Sequence, residues 1–127
     1  MNDPINPSDI APPAADYAHA VLSTGARRML HTSGVVPTRP DGSVPDELSE
    51  QASVIWSSIA AILQEASMQP ADIVSVVTYA VSGNDLAAIM EARDAFLGDH
   101  RAASTLVTVP GLARPEWKME VAVDAVS

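Results

Sequence analysis

From Trp117 to Val126 large apolar residues alternate with a second, mixed set. That period of two belongs to a β-strand. It places Trp117, Met119, Val121 and Val123 on one face, against a core, and Lys118, Glu120, Ala122 and Asp124 on the other. Glu120 stands out, because its flanking residues are Met119 and Val121 and the next residue on its own face is only an alanine. Such a carboxylate is either a solvated group on an outer face or one sheltered in a site.

The same reading covers the rest of the chain. Met1 to Asp16 holds four of the ten prolines, shows no periodicity and predicts an extended arm. Tyr17, His19 and Val21 alternate with Ala18, Ala20 and Leu22, which predicts a strand over 17–23. Thr24-Gly25 then turns it back on a partner over 27–33, as a hairpin. Val35 to Pro45 is broken by prolines and Asp41-Gly42, a loop. Asp46 is the expected N-cap of a first helix whose stripe is Leu48, Ala52, Ile55, Ile59, Leu63 and Ala66, ending before Pro70. The run over 73–81 is β-branched on both faces and predicts a central strand covered on both sides, with Tyr79 in the core. Ser82-Gly83-Asn84-Asp85 turns and caps a second helix over 86–97, with Leu86, Ile89, Met90, Phe96 and Leu97 inward and Gly98 closing it. A strand over 104–109 and a Pro/Gly loop over 110–115 lead to the terminal strand.

The order strand, strand, helix, strand, helix, strand, strand predicts an α+β sandwich of two layers, one mixed sheet with both helices on one face. On the other face the pattern puts Val74, Val76, Ala80, Thr105, Val107, Val109 and Ala122, small and apolar where a monomer would carry charge. That face calls for a partner, most simply other copies of the chain.

Composition adds exclusions. A length of 127 residues suits one domain over 1–127, and the lack of cysteine removes thiolate chemistry and disulfides. With 16 acidic against 7 basic side chains, the net charge of −9 repels phosphate backbones, and Arg27-Arg28 is the densest basic spot. No nucleic-acid partner is expected. No apolar run approaches the roughly 20 residues of a membrane span, and no signal peptide is evident, so a soluble cytoplasmic protein is expected.

Four segments resemble the RidA (YjgF) family of enamine and imine deaminases. They are Ile10 to Val21, His31-Thr32-Ser33-Gly34-Val35-Val36-Pro37, Asp41-Gly42-Ser43-Val44-Pro45 and Met119-Glu120-Val121, in the family's order and spacing over nearly the whole chain. The resemblance implies a chorismate-mutase-like subunit and a homotrimer, three sheets forming an inner β-barrel with a cleft at each subunit interface. It implies hydrolysis of a reactive enamine or imine, such as 2-aminoacrylate, to a keto acid and ammonia, without metal or organic cofactor. Glu120 matches the family's acid/base, Tyr17 the tyrosine lining the cleft, Ser33 and Gly34 the substrate-orienting loop, and Thr105 a Cys/Thr position.

Two departures bear on substrate. Relatives active on 2-imino acids carry an Arg immediately before the Ser-Thr pair, where its planar fork grips the carboxylate; here that residue is Ala103. Val35 stands where a Gln is usual. An ordinary 2-imino acid is therefore not the expected substrate, and a trimer that binds a small ligand without catalysis is the alternative. Arg101 and Arg114 are candidate replacements for the missing Arg, and Trp117 can cover an aromatic or larger substrate. His19 and His31 are expected near Tyr17 without forming a metal site, and His100 at the surface.

Overall fold

The computed structural model describes all 127 residues. Six α and β elements form its main body: β3 (Met29–His31), α1 (Leu48–Glu65), β4 (Ile73–Val81), α2 (Leu86–Leu97), β5 (Ala103–Val109) and β6 (Met119–Val126), with a single 3₁₀ turn, Pro70–Asp72, leading into β4. Two further strands, β1 (Asn2–Ile5) and β2 (Ala20–Ser23), precede them. The main sheet has the order β3-β6-β4-β5, with β4 and β5 parallel, joined through α2, and the other pairs antiparallel. Both helices contribute to one core, and the predicted α+β architecture of helices on a mixed sheet is the one observed.

The core lies between sheet and helices, built from Ala52, Ile55, Trp56, Ile59 and Leu63 of α1, Ile89 and Leu97 of α2, and Met119, Val121, Val123 and Ala125 of β6. The period-two reading of the terminal strand therefore puts the right set inside. Phe96 stacks on Trp56 with ring centroids 4.7 Å apart, locking α2 to α1. Asp85 caps α2 as expected, its Oδ1 accepting from the amides of Ala87 and Ala88 at 3.0 and 3.3 Å.

Several expectations are corrected. The arm is not featureless: β1 within it pairs antiparallel with β2, so the predicted hairpin of 17–23 with 27–33 does not form. β3 pairs instead with the end of β6. A hairpin turn at Thr24-Gly25 was a local signal, whereas β6 offers β3 a long apolar partner across the sheet. Asp46 does not cap α1; the N-cap position is Glu47, without a side-chain cap bond. The backbone carbonyl of Asp46 is used differently, accepting from Lys118 Nζ at 2.6 Å.

The open sheet face also differs. β4 has a bulge between Ile73 and Ser75, after which Val76, Thr78 and Ala80 point to the helices and are buried. The exposed alternation is Ser75, Val77, Tyr79 and Val81, each half-buried. Val76 and Ala80 are thus core residues, and Tyr79 is an open-face residue, paired with Val107 on one side and Glu120 on the other. A strand β-branched on both faces carries no parity signal of its own, so only its register with β6 reveals it. Within the chain β4 is covered on one side alone. His100 is half-buried rather than at the surface, its Nε2 2.6 Å from the carbonyl of Ile73.

Candidate functional site

Glu120 sits on the open face of β6 and is half-buried. Its surroundings follow from a local irregularity at the end of β3. Thr32 donates its amide to Val123 O at 3.0 Å, and its Oγ1, in place of a backbone carbonyl, accepts from Val123 N at 3.0 Å. Pairing resumes where Val35 and Val121 exchange two backbone bonds of 2.7 and 3.1 Å. Three steps along one segment thus match two along the other, the extra residue of a bulge. Ser33 and Gly34 occupy that bulge. Gly34 lies directly on the Glu120 side chain, since a Cβ built there would fall 2.9 Å from Glu120 Cγ and closer still to Cδ and Oε2. Across the sheet Tyr79 is the register partner of Glu120. The carboxylate is therefore held between a backbone loop and a tyrosine, with Ser33 exposed beside it.

Tyr17 is elsewhere in the same chain. Ala18 bridges Ala103 on the outer edge of β5 and donates its amide to Ala102 O at 3.0 Å. Tyr17 Oη accepts from the amide of Ala14 at 3.2 Å, and its ring meets that of His19 edge-on at 6.0 Å. Val107, not Ala103, is level with Glu120 through Tyr79. At the usual strand rise and spacing, Ala103 is roughly 13 Å along the sheet and about 10 Å across it from Glu120. One chain does not bring Tyr17 and Glu120 together. Thr105 lies on the open face between these levels, opposite Val77, and is exposed.

Of the two replacement arginines, Arg101 is engaged away from Glu120. Its Nη1 donates to Gly98 O at 2.8 Å and to His100 O at 3.3 Å, and its Nη2 is 3.7 Å from Asp16 Oδ1. Arg114 is exposed, with its guanidinium carbon 5.8 Å from the centre of the Trp117 ring. The histidines do not meet. His19 Nε2 lies 2.6 Å from Ala11 O, whereas His31 Nδ1 pairs with Asp124 Oδ1 at 2.7 Å. No group of three or more His, Asp or Glu side chains is gathered as a metal-binding set.

Gln51 was not singled out by its residue type, yet it organises this end of the molecule. Fully buried, it donates through Nε2 to Pro45 O at 2.8 Å and Glu116 O at 2.9 Å, and its Oε1 accepts from Lys118 N at 2.9 Å. It thereby ties α1 to the loop before it and to the segment entering β6. The signal was available: Gln51 stands four residues before Ile55 and so falls on the apolar stripe of α1. Arg93, buried on α2, was missed in the same way; it donates to Ser104 Oγ at 3.0 Å and to the neighbouring Asp94 at 3.0 Å.

Residues 8–127 match the sequence profile of the Endoribonuclease L-PSP family. The chain belongs to that family, the RidA (YjgF) proteins. The 2-iminobutanoate/2-iminopropanoate deaminase of Escherichia coli K12 is 27% identical over 100 residues, 78% of each chain. Among solved structures, a Rid-family protein of unknown function from Yersinia pestis superposes with a TM-score of 0.88 at 29% identity, over 99% of this chain and 98% of that one. Escherichia coli TdcF with bound serine gives a TM-score of 0.72 at 27% identity, over 95% and 92%. Members of the family deaminate reactive imine and enamine intermediates. No helix is long and apolar enough to cross a membrane.

Proposed function

We propose that this protein hydrolyses a reactive enamine or imine, with Glu120 as the acid/base, in a cleft completed by a neighbouring copy in a homotrimer. The observation that carries the reading is the fit of Gly34 against Glu120, a backbone approach that a side chain at position 34 would prevent. The reaction needs one proton and one water. The Glu120 carboxyl protonates the imine nitrogen, or the β-carbon of an enamine to reach the iminium. Water adds to the electrophilic carbon and returns a proton to the carboxylate. The carboxyl passes that proton to the amino nitrogen, the C–N bond breaks to release ammonia, and the hydroxyl proton returns to the carboxylate as the carbonyl forms. A single carboxyl can serve in both directions.

Assembly is part of the proposal. The exposed side of the sheet carries Val77, Tyr79, Val81, Val107 and Ala122 at its centre, an apolar surface of the kind that another subunit covers. Closing three such faces on each other gives an inner β-barrel, and it supplies a route by which Tyr17 of one subunit reaches Glu120 of the next. Ser33 and Gly34 orient the substrate through the bulge backbone, and Thr105 lines the opposite side. The whole chain, 1–127, acts as one domain, and the reaction uses no cofactor. The family description names an endoribonuclease, but a chain of net charge −9 repels RNA, so a small molecule is the better substrate.

The test is ammonia release from enzymatically generated enamines and imines, with and without a carboxylate. Glu120→Gln is expected to reduce kcat about 10²- to 10⁴-fold, the usual worth of a general acid/base. Release no faster than buffer across the panel would overturn catalysis. A second reading, a trimer that binds a small ligand without turnover, is favoured by Ala103 together with the engagement of Arg101 at Gly98 and Asp16. It predicts ligand-induced thermal stabilisation in the same panel without ammonia.

A further inference from the structure

A hollow of about 440 Å³ is lined by Val36, Thr38, Val44, Arg114, Glu116 and Trp117. Its position relative to the carboxylate follows from register. Val35 and Val121 are paired, so Val36, the next residue, runs alongside Glu120 and forms the hollow's near wall. The volume is within the range of small-molecule sites, roughly 300 to 1,000 Å³.

We propose that this hollow takes a planar, conjugated substituent, so that the substrate class is an imine or enamine attached to an aromatic or heteroaromatic ring. The inference rests on the reading of Glu120 as the reacting carboxyl. Its first ground is the far wall, where a flat guanidinium stands over a flat indole at 5.8 Å. A flat aromatic group can pack on that cation–π pair with its face, and a bent or heavily hydrated one does so less well. The second is charge. Arg114 and Glu116 are of opposite sign in the same lining, so the hollow makes no net demand for an ionised group, in contrast to an arginine at position 103. Val36 and Val44 supply apolar sides for a ring edge.

The third is rigidity. Gln51 bonds to Pro45, Glu116 and Lys118 at once, and Lys118 Nζ bonds to Asp46 O, so both sides of the hollow are clamped to the start of α1 before any ligand arrives. A preformed site loses little entropy on binding. In the reaction the ring stays in the hollow while the adjoining C=N bond is replaced by C=O, water supplying the oxygen and ammonia carrying away the nitrogen.

The experiment titrates the intact protein with benzoate, benzamide and cyclohexanecarboxylate, following tryptophan emission. Trp56, the second indole, stacks on Phe96 and borders a separate hollow, so its own response is read from Trp117→Leu and subtracted. Both planar probes are expected to bind about three- to tenfold more tightly than the puckered acid, the range that one aromatic contact provides. The Trp117 component of the emission change should be absent in Trp117→Leu, and the affinity should fall in Arg114→Ala, whose exposed side chain can be removed without unfolding the chain. Equal binding of all three probes, or planar binding unaffected by Arg114→Ala, would overturn the inference. A parallel assay compares ammonia release from an aryl and an alkyl imine. Turnover of both at equal kcat/KM overturns the substrate class while leaving Glu120 its role. Planar binding intact, with ammonia from neither imine, removes the catalytic reading and upholds the planar-ligand site.

Discussion

Gly34 and Glu120 occupy each other's space so closely that a Cβ on Gly34 would fall 2.9 Å from Glu120 Cγ, nearer than real Cβ contacts come. The backbone of Gly34 is not in the left-handed region, so its conformation alone does not require glycine. What requires it is the side chain opposite.

Gly34→Ala is therefore expected to leave the fold in place and move the carboxyl group. A displacement of about 1 Å in a reacting group can cost a hundredfold in rate. We expect kcat to drop by about that factor, with the melting temperature changed far less than in a core variant such as Ile59→Ala, which should lose about 2–5 kcal/mol. Steady-state ammonia release paired with thermal melts checks this. An active Gly34→Ala enzyme would mean that Glu120 has freedom to swing aside.

Ala103→Arg should restore the grip on a substrate carboxylate. Position 103 pairs with Ser75 on one side and Ala18 on the other, next to Tyr17 at the edge of the sheet. The trimer proposed above would turn that edge toward the neighbour's cleft. A charge-assisted bond contributes about 1.5–3 kcal/mol. The variant should therefore raise kcat/KM for 2-imino acids more than tenfold, with a smaller change for neutral imines. Competition between the two substrate types in one reaction mixture measures that ratio directly.

The terminal strand was legible because alternation of Met119, Val121 and Val123 with charged residues fixes which side is buried, and burial fixes it in the fold. β4 was not, because Val74, Val76 and Val77 satisfy either side; the bulge after Ile73 is a property of pairing, invisible in one strand. Glu120 and the Ser33-Gly34 loop could be nominated from sequence, whereas their contact could not, since it depends on the Thr32 hydroxyl replacing a carbonyl in the ladder. Tyr17 was nominated with them, but the single chain leaves it at the far edge of β5, away from Glu120.

Asp41 gives a pH prediction. Its Oδ1 accepts from Ser43 Oγ at 2.7 Å and from Ser43 N at 3.0 Å, and these bonds, the side-chain one foremost, hold its carboxyl below the usual aspartate range. A carboxyl depressed in the folded state contributes stability above its unfolded pKa and loses it as pH falls through the folded value. The turn at 39–43 should therefore hold through mildly acidic solution and loosen below the ordinary aspartate range. Gly42 and Val44 border the hollow, so its outer rim should loosen with the turn. Amide exchange at Ser43, followed by NMR as pH is lowered, checks the sign. In Asp41→Asn the acid-dependent step should disappear.

Gln51 offers the sharpest separation of stability from chemistry. Replacing it with Leu preserves the volume and apolar contacts on α1, but strands the carbonyls of Pro45 and Glu116 and the amide of Lys118. Each stranded buried group costs about 1–3 kcal/mol, tempered where water can enter. Gln51→Leu should lose roughly 3 kcal/mol overall by that scale, even though a leucine is the more apolar residue. Because the lost bonds fasten the segment ahead of β6, the loop bearing Arg114 and Trp117 should become mobile while Glu120, held by its own strand pairing with Tyr79, stays in place. Planar probes should then bind more weakly to Gln51→Leu than its residual ammonia release would suggest. Denaturant melts and the emission titration, run on the same sample, read the two effects apart; equal losses in both would tie the loop and the carboxylate into one unit.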